Sequence, residues 1–176
     1  IALSSDGSTI YLSNVRGSIK VFAVDAEGKV TPSHTLSLPH ADAPRREAEI
    51  PSGLVLSKDG KLLYVCGNLS NQLFELDATT GAVLRKFDVG AAPFDVVLAG
   101  DRAFVSNWGG RQPGAGDLTG PAGRGTEVRV DPIRHIASEG TVSVIDLTAG
   151  KLLREQRTGL HASDLAVTHD QKFVVC

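Results

Sequence analysis

Several residue types are scarce or missing in this chain, and each absence removes a class of protein. Of 176 residues none is Met, two are Cys and one is Trp, and aromatic residues make up only 5%. Cys66 and Cys176 lie far apart without a CxxC pair, so neither a zinc site nor a disulfide framework is predicted. No apolar run approaches the roughly 18 residues of a membrane span.

A large excess of positive or negative charge is also lacking. Lys and Arg number 18, Asp and Glu number 20, and the net charge is −2. This balance excludes a strongly basic surface for nucleic acid and a polyacidic tail. The sequence opens at Ile1 inside a predicted strand and closes at Cys176 inside an apolar run. We therefore expect an internal fragment of a longer protein, in which a missing leader says nothing about location.

A repeat organises what is present. Two short apolar stretches joined by a polar turn recur at residues 2–12, 54–65, 96–105 and 165–175. The first two copies carry Asp-Gly at the turn, which is typical of a β-hairpin. Alternating strands ending in Asp follow at residues 19–25, 72–77 and 141–146, and a further apolar run follows these. Each unit therefore holds four short strands.

The period of the repeat indicates the fold. Tyr64 and Phe104, which hold equivalent positions, are 40 residues apart. Four strands in roughly 40–45 residues are typical of a β-propeller blade, whereas tandem β-sandwiches do not repeat at so short a period. The sequence predicts an all-β fold, a partial propeller of four-stranded antiparallel blades. The approximate blades are residues 1–50, 51–92, 93–161 (with an insertion at 109–138) and a truncated unit at 162–176.

The repeat resembles that of the YVTN-repeat β-propellers of bacteria and archaea. The resemblance lies in Leu-Tyr-Val after Asp-Gly-Lys, the strand ending in Leu-Asp, and Val-Gly-Ala-Ala-Pro, at residues 59–65, 72–77 and 89–93. These relatives imply a seven-bladed ring with a lactonase-like fold, so the remaining blades would belong to the same chain. They are often exported, which implies a periplasmic or extracellular location.

A narrower resemblance lies at residues 106–111, 130–132 and 138–146. These segments look like the propellers that precede an alkaline-phosphatase-like phosphoesterase domain in some bacterial proteins. The resemblance implies that such a domain follows Cys176. None of its motifs is present, so none of its catalytic residues is transferred.

Two insertions indicate where a site lies. Strands A to D of a blade alternate in direction from the axis outwards, so the B–C and D–A loops share one face. The insertion at residues 39–50 falls in a D–A loop, and that at 109–138 falls in the B–C loop of the third blade. Long loops gathered on one face of a rigid scaffold commonly carry function. We therefore expect the site on this face.

The candidate ligand-binding residues share that face and have charged, aromatic or imidazole side chains: Asp95, Trp108, Arg111, Arg134, His135, His161 and Asp164. Arginine forks suit carboxylate and phosphate, which favours a small polar or anionic ligand, with a protein partner as the other possibility.

Structural interpretations stand beside the functional ones. The loop arginines, Arg124 and Arg129 among them, pair with the loop's own acids. Trp108 anchors the loop by packing, and His161 is an ordinary turn residue. Asp95 and Asp164 accept backbone N–H groups at the start of a blade.

Two functions remain open. No cofactor is expected. Residues 114–120 miss the dinucleotide fingerprint by one position, residues 120–125 lack the Lys-Ser/Thr of a P-loop, and the histidines lack metal-ligand spacing. The favoured hypothesis is a non-catalytic scaffold for ligand or protein binding, the accessory propeller of a larger exported protein. The alternative is a lactonase-like hydrolase in which Asp95, Asp164 and His161 near the axis activate water, alone or through a metal.

Overall fold

The strands of the first blade lie near the start of the chain. A computed structural model describes residues 1–123 and 125–176, and for Asp42 the backbone alone. The first antiparallel sheet has the order β1-β2-β3-β4. Its strands are β1 (Ala2–Leu3), β2 (Thr9–Asn14), β3 (Ser18–Val24) and β4 (Val30–Ser37). A two-stranded insertion follows, made of β5 (His40–Ala43) and β6 (Arg46–Ala48).

Two more four-stranded sheets repeat this order from inside to outside. The second contains β7 (Pro51–Leu56), β8 (Leu62–Gly67), β9 (Gln72–Asp77) and β10 (Val83–Asp88). The third contains β11 (Pro93–Ala99), β12 (Arg102–Asn107), β15 (Thr141–Asp146) and β16 (Lys151–Arg157). A second insertion, β13 (Thr119–Ala122) with β14 (Thr126–Arg129), separates β12 from β15, and β17 (Ala166–Val167) pairs with β18 (Val174–Val175) at the end. The all-β propeller prediction is confirmed.

Apolar side chains fill the spaces between successive blades. Ile19, Leu36 and Phe74 belong to one buried cluster between the first and second sheets. Cys66 and Ile145 belong to the next, between the second and third. The middle strands of the second and third sheets are almost wholly buried, whereas most of outer β4 and β16 is exposed. Burial on both faces explains why the middle strands read as apolar runs.

Short aspartate turns close the hairpins, as the sequence predicted. The Asp59 carboxylate accepts hydrogen bonds from the Ser57 hydroxyl and the Lys61 N–H, and Gly60 takes a φ of +72°. The Asp77 carboxylate accepts the N–H groups of Thr79 and Thr80. These turns lie on the face of the blades opposite the insertions.

The two insertions meet on one face. The Thr126 hydroxyl donates to the backbone carbonyl of Asn68, at 3.2 Å. A methyl group placed on Gly125 would lie 3.0 Å from the Ala43 Cβ and 3.2 Å from the Pro44 Cδ. Hairpin β13–β14 therefore lies over the second blade and reaches hairpin β5–β6. Within the described ranges, no helix is long and apolar enough to cross a membrane.

Candidate active site

Trp108 and His161 form the centre of the insertion face. Trp108 follows directly after β12, and its backbone N–H donates to the Ala92 carbonyl at 3.1 Å. His161 lies in the turn before β17. The two rings stack with centroids 4.4 Å apart and planes inclined by 11°. The third blade thereby fixes the imidazole that begins the fourth.

A cleft of about 550 Å³ opens beside this pair. Hairpin β13–β14 forms one wall of the cleft. Most of the lining residues have apolar or small side chains. They are Trp108, Thr119, Gly120, Pro121, Ala122, Val128, Val130, His135, Ile136, Ala137 and His161. A second cavity of about 280 Å³ also borders Trp108 and is lined by Asn68, Ala92, Phe94, Ala122 and Gly123. Trp108 and Ala122 border both spaces.

The hairpin holds its place through apolar packing on the blade. Val128, Val130 and Ala137 are buried in one cluster with Ala91, and Trp108 packs against it. Gly109 makes this approach possible, since a side-chain carbon there would clash with the Val128 methyl. Trp108 therefore anchors the insertion while it also lines the cleft.

Backbone strain is concentrated around Trp108. Among the described residues, five that are not glycine have a positive φ, and three of these five border the two cavities. They are Ala92 at +53°, His135 at +54° and His161 at +57°. Such conformations cost about 1–3 kcal/mol each and persist where the surroundings impose them, frequently at functional sites. Both imidazoles at the cleft are thus held by unusual backbone.

The predicted arginines lie in ion pairs instead of lining this cleft. Two nitrogens of the Arg111 guanidinium contact the Asp117 carboxylate at 2.8 and 2.9 Å. Arg129 bridges Asp117 and Glu139, at 3.0 and 2.8 Å. Arg111 is the main cause of a pKa of Asp117 far below its usual value. Arg134 contacts Asp131 at 3.3 Å, and Arg124 lies outside the described residues.

The two aspartates at the start of strand A differ in their contacts. Asp95 Oδ2 accepts the Leu165 N–H at 2.9 Å, which ties the third blade to the fourth. Asp164 is exposed at the equivalent position of the fourth blade. The structure thus brings together Trp108, His135 and His161 at one cleft. It places Arg111, Arg134, Asp95 and Asp164 outside that lining.

Sequence reasoning missed two parts of this face. The Glu139 side chain is only 4% exposed, and its carboxylate forms ion pairs with Arg111, Arg129 and Arg157. The apolar wall of Val128, Val130 and Ile136 was also missed. Alternation of Val128, Arg129 and Val130 could have indicated a strand with one apolar face. In the described part of the chain, no three His, Cys, Asp or Glu side chains form a group that could hold a metal ion.

Successive four-stranded antiparallel sheets, each with its first strand innermost, define a β-propeller. A family model described as "Lactonase, 7-bladed beta-propeller" matches residues 1–96. The chain belongs to this lactonase propeller family. No curated protein matches it.

Solved structures share the fold at low sequence identity. The periplasmic gluconolactonase PpgL of Pseudomonas aeruginosa is 22% identical over 93% of this chain, with a TM-score of 0.61. A Lactobacillus plantarum protein is 21% identical over 92%, also at 0.61. Sqt1 of Saccharomyces cerevisiae is 14% identical over 96%, at 0.60. The chain spans 40%, 42% and 38% of these proteins, respectively.

These findings correct the functional preference drawn from the sequence. The prediction of a non-catalytic accessory scaffold is wrong, because the family to which the chain belongs is a lactonase family. The hydrolase alternative is the better interpretation. The narrower resemblances, to YVTN repeats and to propellers before a phosphoesterase domain, stay predictions.

Proposed function

We propose that this chain forms part of a lactonase-like hydrolase whose reaction takes place at the cleft beside Trp108 and His161. The observation that carries the proposal is the imidazole of His161, which stacks on Trp108 at 4.4 Å and lines an open, largely apolar cleft. Membership of the lactonase family supports the reaction type. The ring stack and the positive φ both restrict the orientation of His161.

Lactone hydrolysis needs a base for water and a proton for the leaving oxygen. Water adds to the lactone carbonyl carbon while His161 takes one of its protons. The ring C–O bond then breaks, and the imidazolium returns that proton to the ring oxygen, which leaves a hydroxy acid. Histidine is the commonest group for such transfer, worth about 10²–10⁴-fold in rate. His135 is a second imidazole at the same cleft.

Asp95 has a supporting part in this proposal. Its carboxylate binds the Leu165 N–H, four residues beyond His161, and so holds the turn that carries the imidazole. Asp164 stays a candidate for the same task toward the next blade. The sequence analysis gave Asp95, Asp164 and His161 as candidates for water activation. We assign that role to His161 alone and treat Asp95 as a positioning residue.

The test uses the complete natural protein. Acid release from δ-gluconolactone and δ-valerolactone is followed by pH-stat, with spontaneous hydrolysis subtracted. We expect turnover of at least one lactone, and His161→Gln should lower kcat/KM by about 10²-fold or more. The matched control is His169→Gln, an exposed histidine in the turn before β18, which should leave turnover unchanged.

Two results would overturn the proposal. One is a native protein that accelerates neither lactone above the spontaneous rate. The other is a His161→Gln variant that keeps native kcat/KM, since the base would then lie elsewhere. Circular dichroism of each variant separates loss of chemistry from loss of fold.

A periplasmic location is part of the same proposal. It is supported by the periplasmic gluconolactonase among the structural relatives. Fractionation of the source cells, followed by detection of the protein, tests it. Recovery with cytoplasmic markers alone would contradict it.

A further inference from the structure

The described lining of the cleft beside Trp108 contains no acidic or basic side chain apart from two histidines. Among its described lining residues none is Asp, Glu, Lys or Arg. Its polar side chains are the two imidazoles, the indole N–H and the Thr119 hydroxyl. A bound phosphate or carboxylate requires charged or multiple N–H donors to replace its water. This lining therefore suits a neutral ligand.

The arginines that the structure describes near the cleft lie in ion pairs. Arg111 and Arg129 share the carboxylates of Asp117 and Glu139, and Arg157 lies 3.3 Å from the second Glu139 oxygen. If either inner arginine turned toward a ligand, Asp117 and the buried Glu139 would each lose one of their charge partners. Breaking an ion pair of a buried carboxylate costs free energy. These arginines thus serve the insertion and not a substrate anion.

The wall contributed by the insertion is apolar. Val128 and Val130 are 3% and 7% exposed, Ala137 is 4% exposed, and Ile136 stays 39% exposed at the cleft. Ile136 can therefore gain burial when a ligand arrives. Each methylene that a ligand buries here would improve binding by about fourfold.

We infer that the cleft takes uncharged lactones that carry an alkyl or aryl substituent, in preference to phosphorylated or polyhydroxylated ones. The lactone carbonyl meets His161, and the substituent lies along Val130 and Ile136. This inference rests on the proposed hydrolysis for its reaction. Its ligand class follows from the lining alone.

The experiment measures chain-length preference on the complete protein. Turnover is compared for δ-valerolactone, δ-octalactone and δ-decalactone, with δ-gluconolactone and a phosphorylated gluconolactone as polar counterparts. We expect kcat/KM to rise at least tenfold from the first to the third, and both polar lactones to be poorer than δ-decalactone. Ile136→Ser should reduce that rise by about fourfold or more.

Ile133→Ser is the matched control, because Ile133 lies on the same insertion, is 87% exposed and does not line the cleft. It should keep the native preference. Hydrolysis with no rise along the series, or with a polar lactone as the best substrate, overturns the inference while the proposed function stands.

Absence of all hydrolysis refutes the proposed function instead. The ligand class is then tested by calorimetry with two unreactive lactams, δ-valerolactam and its 6-pentyl derivative. Tighter binding of the pentyl lactam, reduced by Ile136→Ser and not by Ile133→Ser, supports the ligand class. Equal affinities, or no binding of either lactam, refute it.

Discussion

Gly53 of β7 lies directly against Asp95 of β11. A methyl group on Gly53 would meet the Asp95 Cα at 2.5 Å and its Oδ1 at 2.7 Å. Asp95 in turn accepts the Leu165 N–H of the following blade. Because Gly53 of the second blade has no side chain, Asp95 of the third blade can lie against it and still bind Leu165 of the fourth. The inner segments of three blades are thus in contact at the insertion face.

Gly53→Ala should destabilise the propeller. The added methyl meets backbone as well as a carboxylate, so the two inner strands must separate, at a cost of about 1–3 kcal/mol in the free energy of unfolding. The urea midpoint of the complete protein measures this. Gly114→Ala is the control, since its Cβ would come no nearer than 3.7 Å to Asp117. Equal midpoints for both variants would contradict the close packing.

Arg85→Ala should weaken the contact between the second and third blades. Arg85 pairs with the Glu75 carboxylate at 2.5 and 2.9 Å and donates to the Leu147 carbonyl at 2.6 Å. Glu75 is only 5% exposed, so its charge would lose its partner. We expect a loss of about 2–3 kcal/mol in the free energy of unfolding.

Chemical denaturation checks this, with Arg154→Ala on exposed β16 as the control. The double variant Glu75→Leu with Arg85→Leu should recover much of the loss, because it removes the buried charge together with its partner. A single Arg85 variant as stable as the native protein would refute the interblade role.

Cys66 should resist thiol reagents until the protein unfolds. The side chain is fully buried, and burial, helped by the charge of Asp95, raises the pKa of the thiol. The reactive thiolate is therefore scarce and shielded. Mass spectrometry after iodoacetamide treatment at pH 8 should find Cys66 unmodified in native protein and modified in urea. Rapid native labelling would show that the space between the blades opens.

Asp117→Asn should loosen the insertion in a pH-dependent manner. Because Arg111 and the Gly114 N–H lower the pKa of Asp117, the folded protein binds its proton less readily than the unfolded chain does. The resulting stabilisation is complete above about pH 4–5 and is lost as the pH falls through the lowered pKa. Hydrogen exchange across residues 111–139 should thus increase in the variant at pH 7.

The same comparison at lower pH supplies the control. The difference between native and Asp117→Asn protein should shrink below about pH 4, where the unfolded carboxyl is protonated. Asp101→Asn, in the turn before β12, should leave exchange of the insertion unchanged. A difference that did not vary with pH would contradict the ionic origin.

The repeat allowed the strands to be predicted, and the site only in part. Apolar runs such as residues 62–66 and the turn at Asp59 and Gly60 are local signals, so the blades followed from spacing alone. The charges of Arg111 and Arg134 suggested an anion site, but sequence does not show that Asp117 and Asp131 neutralise them. The Trp108–His161 stack joins residues of two blades that are far apart in the sequence, so no local pattern predicts it.

Hairpin β13–β14 leaves and re-enters its blade between Asn107 and Thr141, which are directly paired in the β12–β15 ladder. The ladder is therefore continuous whatever the intervening segment contains. Natural variation in residues 109–138 can then change which ligands the cleft binds without changing the strand pairing of the blade. The same boundary makes this segment a practical place to exchange whole loops between propellers when a new specificity is sought.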